Sequence, residues 1–120
     1  MSHEGLYVVV ERPGTNTTNE DLEPERGPQG ERWFIQLVAV EDETTAFTSI
    51  RVGKRRARGF IFHDEERVLT AARIYTFNDL FVIEPSERPV ARFGGITAGD
   101  IVRAVFIGFR KRLNEGEPVK

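Results

Sequence analysis

The chain has no cysteine among its 120 residues and only one methionine, one tryptophan and two histidines. Disulfide staples, thiolate metal sites and cysteine nucleophiles are therefore excluded. The two histidines, at 3 and 63, need several carboxylates beside them to make a zinc or iron site, which takes three or four protein ligands. His63-Asp64-Glu65-Glu66 groups such side chains, but neighbours along a strand point to opposite faces. Nothing approaches 18 apolar residues in a row, and no basic segment followed by an apolar one opens the chain. The sequence thus predicts neither a membrane span nor a secretion signal. Ser2, Ser49 and Ser86 are the only serines, and none sits in a Gly-x-Ser-x-Gly elbow. Gly53-Lys54 lacks the glycine and hydroxyl that flank a phosphate loop. We expect no enzyme, no cofactor and no metal.

What the chain does contain is short runs of β-branched and aromatic residues between Gly, Pro, Asn and Asp. Its length fits one domain that buries roughly two-thirds of its unfolded surface. Leu6–Val10, Trp33–Val40, Thr44–Val52, Phe60–Phe62, Ile74–Phe77, Leu80–Glu84 and Val90–Phe93 read as strands. Trp33–Val40 is apolar on both faces, with Trp33, Ile35, Leu37 and Ala39 on one and Phe34, Val38 and Val40 on the other. Such a strand is covered twice, by layers of its own domain or by a neighbouring subunit. Phe60 and Phe62 alternate as core residues would, and Glu41-Asp42-Glu43 reads as a solvated turn. Glu65–Arg73 fits a helical turn with Val68, Leu69 and Ala72 inward.

Residues 97–113 carry two patterns. Thr97 followed three residues later by Asp100, and Arg110-Lys111-Arg112 near the end, suit a capped helix. Against it, six of the nine residues 101–109 are Ile, Val or Phe, which favours a strand. The predicted fold is all-β: a single β-sandwich of jelly-roll type, or a partly open barrel. An α+β fold with a helix over 98–113 is the alternative.

Residues 13–31 hold three prolines, three glycines, five carboxylates and one large aliphatic residue, Leu22. This composition predicts an extended acidic arm, so that residues 1–31 form a strand plus arm ahead of a sandwich body at 32–120. Residues 1–31 carry seven acids against two arginines, for −5, and the remaining 89 carry a balance of +3. Opposite signs attract over about 8 Å at physiological salt. The strongest binding candidate is the basic loop Lys54, Arg55, Arg56 and Arg58, suited to phosphates or an acidic protein surface. Leu22 is a candidate anchor for a partner. Trp33 is another, or else belongs inside the sandwich.

Val38-Ala39-Val40-Glu41-Asp42-Glu43-Thr44-Thr45-Ala46-Phe47-Thr48 resembles segments of small β-sandwich structural proteins of tailed-bacteriophage particles. So does Phe93-Gly94-Gly95-Ile96-Thr97-Ala98-Gly99-Asp100 leading into Val105-Phe106-Ile107-Gly108. The resemblance implies a virion component, either a capsid decoration (cement) subunit or a neck or tail-attached protein. It also implies a homo-oligomer without cofactors, whose partners are copies of itself and other virion proteins. Assembly in the host cytoplasm, no membrane partner and a strand at the last element follow from it. The other reading is a binding module for nucleic acid or an acidic protein, acting through residues 54–58.

Overall fold

The computed structural model describes residues 3–113, the side chain of His3 excepted. Nine strands follow in order: β1 (His3–Pro13), β2 (Glu20–Leu22), β3 (Glu31–Asp42), β4 (Phe47–Arg56), β5 (Gly59–Leu69), β6 (Tyr75–Phe77), β7 (Phe81–Ile83), β8 (Arg88–Gly94) and β9 (Ile101–Arg112). All pairings are antiparallel. Sheet A runs β1-β9-β3, with β6 and β7 sharing the far edge of β3; sheet B runs β2-β8-β4-β5. Two separate sheets make a sandwich rather than a partly open barrel. Between them lie Leu22, Ile35, Ile50, Ile83, Phe93 and Phe106, all fully buried.

The helix considered for 98–113 is replaced by β9. The residues that suggested a helix cap still pair, but locally: Thr97 N donates to Asp100 Oδ2 at 3.1 Å and Asp100 N to Thr97 O at 3.0 Å. They close the turn that launches the strand. Pairing on both edges, with β1 and β3, then favours extended backbone over residues already rich in Ile, Val and Phe.

A bulge in β3 explains its apolar character on both sides. The register with β9 slips between Ile35 and Leu37. Trp33 and Ile35 face the core before the slip, and Val38, Val40 and Asp42 face it afterwards. Phe34, Leu37 and Ala39 are left on the outer face, half-buried. Strict alternation had placed Leu37 and Ala39 with Trp33, and the extra residue reverses that assignment. Opposite the bulge stands Gly108, where an added Cβ would overlap the carbonyl of Phe34. Only glycine permits that approach.

The segment read as an extended acidic arm packs along the sandwich through β2. It leaves sheet A after β1, adds β2 to the edge of sheet B against β8, and returns to begin β3. Gly95 N donates to Thr17 O, and Glu20 Oε1 accepts from the backbone N–H groups of Thr15 and Asn16. Arg92 grips both oxygens of Asp21 at 2.7 and 3.0 Å. Composition had suggested an extended arm because Leu22 is the segment's only large aliphatic residue, yet that residue enters the core. Its acids meet arginines of the body, which composition alone does not reveal.

The expected turn of helix near Glu65–Arg73 is also absent. β5 continues to Leu69, which is buried, while Val68 points outward at 87% exposure with φ +62° and Ala72 is exposed with φ +56°. A β-branched residue at positive φ is strained.

Leu22→Ala should destabilise the protein by about 2–5 kcal/mol, as emptying a core site does. Urea unfolding checks this; a loss under about 0.5 kcal/mol, the range of surface substitutions, would mean that the segment is not anchored.

Candidate functional site

The outer faces of the two sheets differ in chemistry. On sheet B, Arg92 lies over the rings of Phe60 and Phe62 at 4.3 and 5.1 Å, while Arg55 covers Phe60 and Arg51 covers Phe62. The two rings stack 5.6 Å apart. They belong to this outer ladder, not to the core expected of them. Each arginine also meets an acid: Asp21 for Arg92, Glu23 for Arg55 and Glu65 for Arg51. Cations and carboxylates thus cover the aromatic surface.

Among the described residues, the outer face of sheet A carries no such ladder of arginines over its middle rows. Pairing across β1, β9 and β3 aligns Val9 with Val105 and Ala39, Tyr7 with Ile107 and Leu37, and Gly5 with Phe109 and Phe34. Phe34 and Phe109 stack at 4.7 Å, and Tyr7 is 69% exposed. Among the described residues no strand lies over these rows. The next row toward one end is Glu11, Arg103 and Glu41, where Arg103 binds Glu11, Glu41 and Glu43 together. Toward the other end lie Lys111 and Arg32, the latter paired with Glu84 at 2.8 Å. This apolar field with charged ends is the candidate site.

The sequence-predicted site residues lie elsewhere. Lys54, Arg55 and Arg56 belong to β4, and only Ala57 and Arg58 form the hairpin turn. Lys54 Nζ is half-buried, bound to Glu87 at 2.9 Å and to Val82 O at 3.0 Å; Arg55 is bound to Glu23 at 2.9 Å. Arg56 and Arg58 are exposed, and no ion pair is recorded for either among the described residues. Half the charge of the presumed basic loop is therefore internally matched, which weakens its appeal to phosphates. Trp33 is buried with Nε1 donating to Glu31 Oε1, and Leu22 is fully buried. Neither presents a surface to a partner in this structure. His63 stacks on Phe81 at the β4–β5 register shift, while Glu65 pairs with Arg51 and Arg67. A cleft of about 390 Å³ lies at the far end of sheet A, lined by Glu4, Glu31, Arg110 and Arg112. Arg110 binds Glu4 at 2.8 Å, so much of that cleft is matched too.

One polar feature was missed. Asp42, read as part of a solvated turn, is fully buried beside Asp100, which is itself almost fully buried. Asp42 Oδ1 accepts from the backbone N–H of Thr44 and Thr45, while its Oδ2 finds no donor among the described residues. Asp100 accepts from Thr45 Oγ1 and Thr97 N. Burial, then the neighbouring Asp100, pushes Asp42 up to about 6. Burial also opposes ionisation of Asp100, but its hydrogen bonds from Thr45, Asp42 and Thr97 outweigh that and keep it low. A proton on Asp42 supplies the missing donor toward Asp100. The pair ties the β3–β4 turn to the β8–β9 turn, at one end of the outer face. A Thr-x-x-Asp turn and an acid five strands earlier in the chain give no sequence signal of such a pairing.

No family model matches the chain, and no curated protein does. Its fold is similar to that of a solved structure described as "Bacillus endospore appendages form a novel family of disulfide-linked pili". The match has 9% identity over 94% of this chain and 90% of that one, with a TM-score of 0.52. "Crystal structure of PirA" is matched with 10% identity over 86% of this chain and 92% of that one, with a TM-score of 0.45. At such identities the likeness is one of fold. The resemblance to virion proteins gains from it only the β-sandwich itself.

The raised Asp42 sets a pH dependence whose sign is fixed. Between about pH 4 and 6 the folded chain holds a proton that the unfolded chain has released, so stability falls as pH rises through that window. Asp42→Asn keeps the turn's acceptor and adds a permanent donor. It should raise stability at pH 7.5 by on the order of 2–3 kcal/mol and flatten the pH 4–6 slope in denaturant titrations. An unchanged slope would show that Asp42 ionises normally.

Proposed function

We propose that the chain is a structural subunit that assembles with copies of itself, and that the outer face of sheet A is the surface that does so. The observation behind this reading is the row-by-row apolar alignment of the exposed Tyr7 and Val9 with the half-buried Phe34, Leu37 and Ile107, over which no described strand lies, while sheet B covers its own aromatics with paired arginines. Apolar surface of this kind on a chain this rich in charge marks an interaction site. A pilus protein of similar fold offers a precedent for such sandwiches in polymers. The disulfide linkage named for those pili is closed to this chain, which has no cysteine, so its contacts do without disulfides.

In its finer form, the subunit is a capsid decoration protein of a tailed phage, resident in the virion and assembled in the host cytoplasm. Support for that step comes from the resemblance of residues 38–48 and 93–108 to such proteins. In this reading the chain has no catalytic work and needs no cofactor. The anchored segment 14–30 shapes the edge of sheet B instead of lacing neighbours together.

Ile107→Glu tests the reading. It places a charge at the centre of the face without touching the core. Native mass by sedimentation should fall from an oligomer to a single chain with unchanged far-UV circular dichroism, reflecting association weakened at least about 100-fold. A variant that keeps the wild-type mass, or a wild type that is itself a single chain, would refute the proposal.

A further inference from the structure

Beyond that reading, we propose that Asp42 and Asp100 form a binding site for a hard divalent cation, with calcium the ion that fits. The site lies where the β3–β4 turn meets the β8–β9 turn, and threonine hydroxyls of both turns complete its oxygens.

An unpartnered atom points to the ligand. Asp42 is fully buried, and its Oδ2 has no hydrogen-bond partner among the described residues. Oδ1 is committed to the N–H groups of Thr44 and Thr45, which leaves Oδ2 for the neighbouring carboxyl of Asp100. Residues outside the described range do not supply a donor. β9 spans roughly 35–40 Å between Asp100 and Leu113. The seven residues after Leu113 extend at most about 25 Å. His3 pairs with Lys111 at that same far end, so Met1 and Ser2 are equally remote.

The donors suit a hard ion. Thr45 Oγ1 donates to Asp100 and stands 3.3 Å from Thr97 Oγ1. A hydroxyl that keeps its proton on a carboxylate still offers a lone pair. Two carboxylates and two hydroxyls therefore meet, oxygen ligands of the kind calcium takes at about 2.3–2.6 Å. No third acid, histidine or cysteine joins them among the described residues, so water fills the remaining positions. Oxygen alone disfavours zinc, which selects imidazole and thiolate.

The surroundings favour a cation too. Glu41 and Glu43 flank Asp42 in the chain, and together with Glu11 they share Arg103. The loop that sets Ala72 N–H on Asp42 O turns its Arg73 onto the ring of Tyr75. On the Asp100 side Glu20 is matched by Arg12. No arginine or lysine among the described residues pairs with Asp42 or Asp100, so an ion between the carboxyls replaces the proton they share and neutralises buried charge. Thr44, Thr97, Ala98 and Gly99 are exposed, which lets an ion enter by displacing a turn.

Calcium chloride titrated into the whole chain, freed of metal with a chelator, tests the site by calorimetry and by the thermal unfolding midpoint. With four protein ligands the dissociation constant should be on the order of 10⁻⁴–10⁻³ M at pH 7.5. At pH 5 binding should weaken about tenfold, because the ion must then displace the Asp42 proton. Asp42→Asn, which folds without needing that proton, should lose the calcium response at least tenfold. Glu11→Gln, altered only in the outer row of acids, should respond as the wild type does. No binding by the wild type at about 10 mM calcium would overturn the proposal. So would binding that survives Asp42→Asn, which would put the ion on the outer acids, or binding equally tight at pH 5. The assembly reading is judged separately, by the mass of Ile107→Glu.

Discussion

β9 is hydrogen-bonded along both edges, to β1 over eleven residue pairs and to β3 from one end to the other. The rest of sheet A depends on that double pairing. It decides the strand in a segment that also carries helix signals, since extended backbone satisfies donors and acceptors on two sides at once. It also demands glycine at 108, because the bulge in β3 brings the carbonyl of Phe34 against the β9 backbone. The bulge in turn reverses the phase of β3, so that Trp33 and Ile35 on one side of it and Val38 and Val40 on the other all reach one core. Without the slip, half of these residues would face outward.

From this arrangement follows the difference between the two surfaces. Sheet B receives β2 at its edge, and the acids of that segment reach across to Arg55, Arg88 and Arg92. The exchange holds the segment down and covers Phe60 and Phe62. Among the described residues nothing equivalent crosses sheet A, whose charges gather at its two ends while its middle is apolar. The two outer surfaces of the sandwich therefore differ in kind, one a ladder of paired arginines over aromatic rings and the other an apolar field between charged ends.

The strands were legible in the sequence because runs such as Leu6–Val10 and Val90–Phe93 have few conformations compatible with burial. The Thr97–Asp100 spacing was legible too, but a side-chain bond to a backbone N–H closes a turn as readily as it caps a helix. Phase was lost in β3, since the slip at Gln36 leaves no mark in the residue pattern. Leu22 shows the same limit: one apolar residue among acids and prolines resembles a solvated segment until the arginines it lies beside are known. For the site, the apolar doubling of Trp33–Val40 pointed to an extra contact surface, while the charge of 54–58 drew attention to cations of which the fold matches half, Lys54 and Arg55. The buried Asp42–Asp100 pair brings together residues far apart in the chain, and no local spacing encodes it.

The position of β9 has a consequence for how the molecule forms. β1 and β3 do not pair with each other; each waits for a strand that follows all eight others in the chain. During synthesis the hairpin of β4 and β5 can close early, whereas β1 must stay unpaired until residues 101–111 have been made. Contacts of such long sequence separation slow folding and leave an edge open to strangers in the meantime. Until β9 is in place, the edge of β1 is exposed to pairing with other chains.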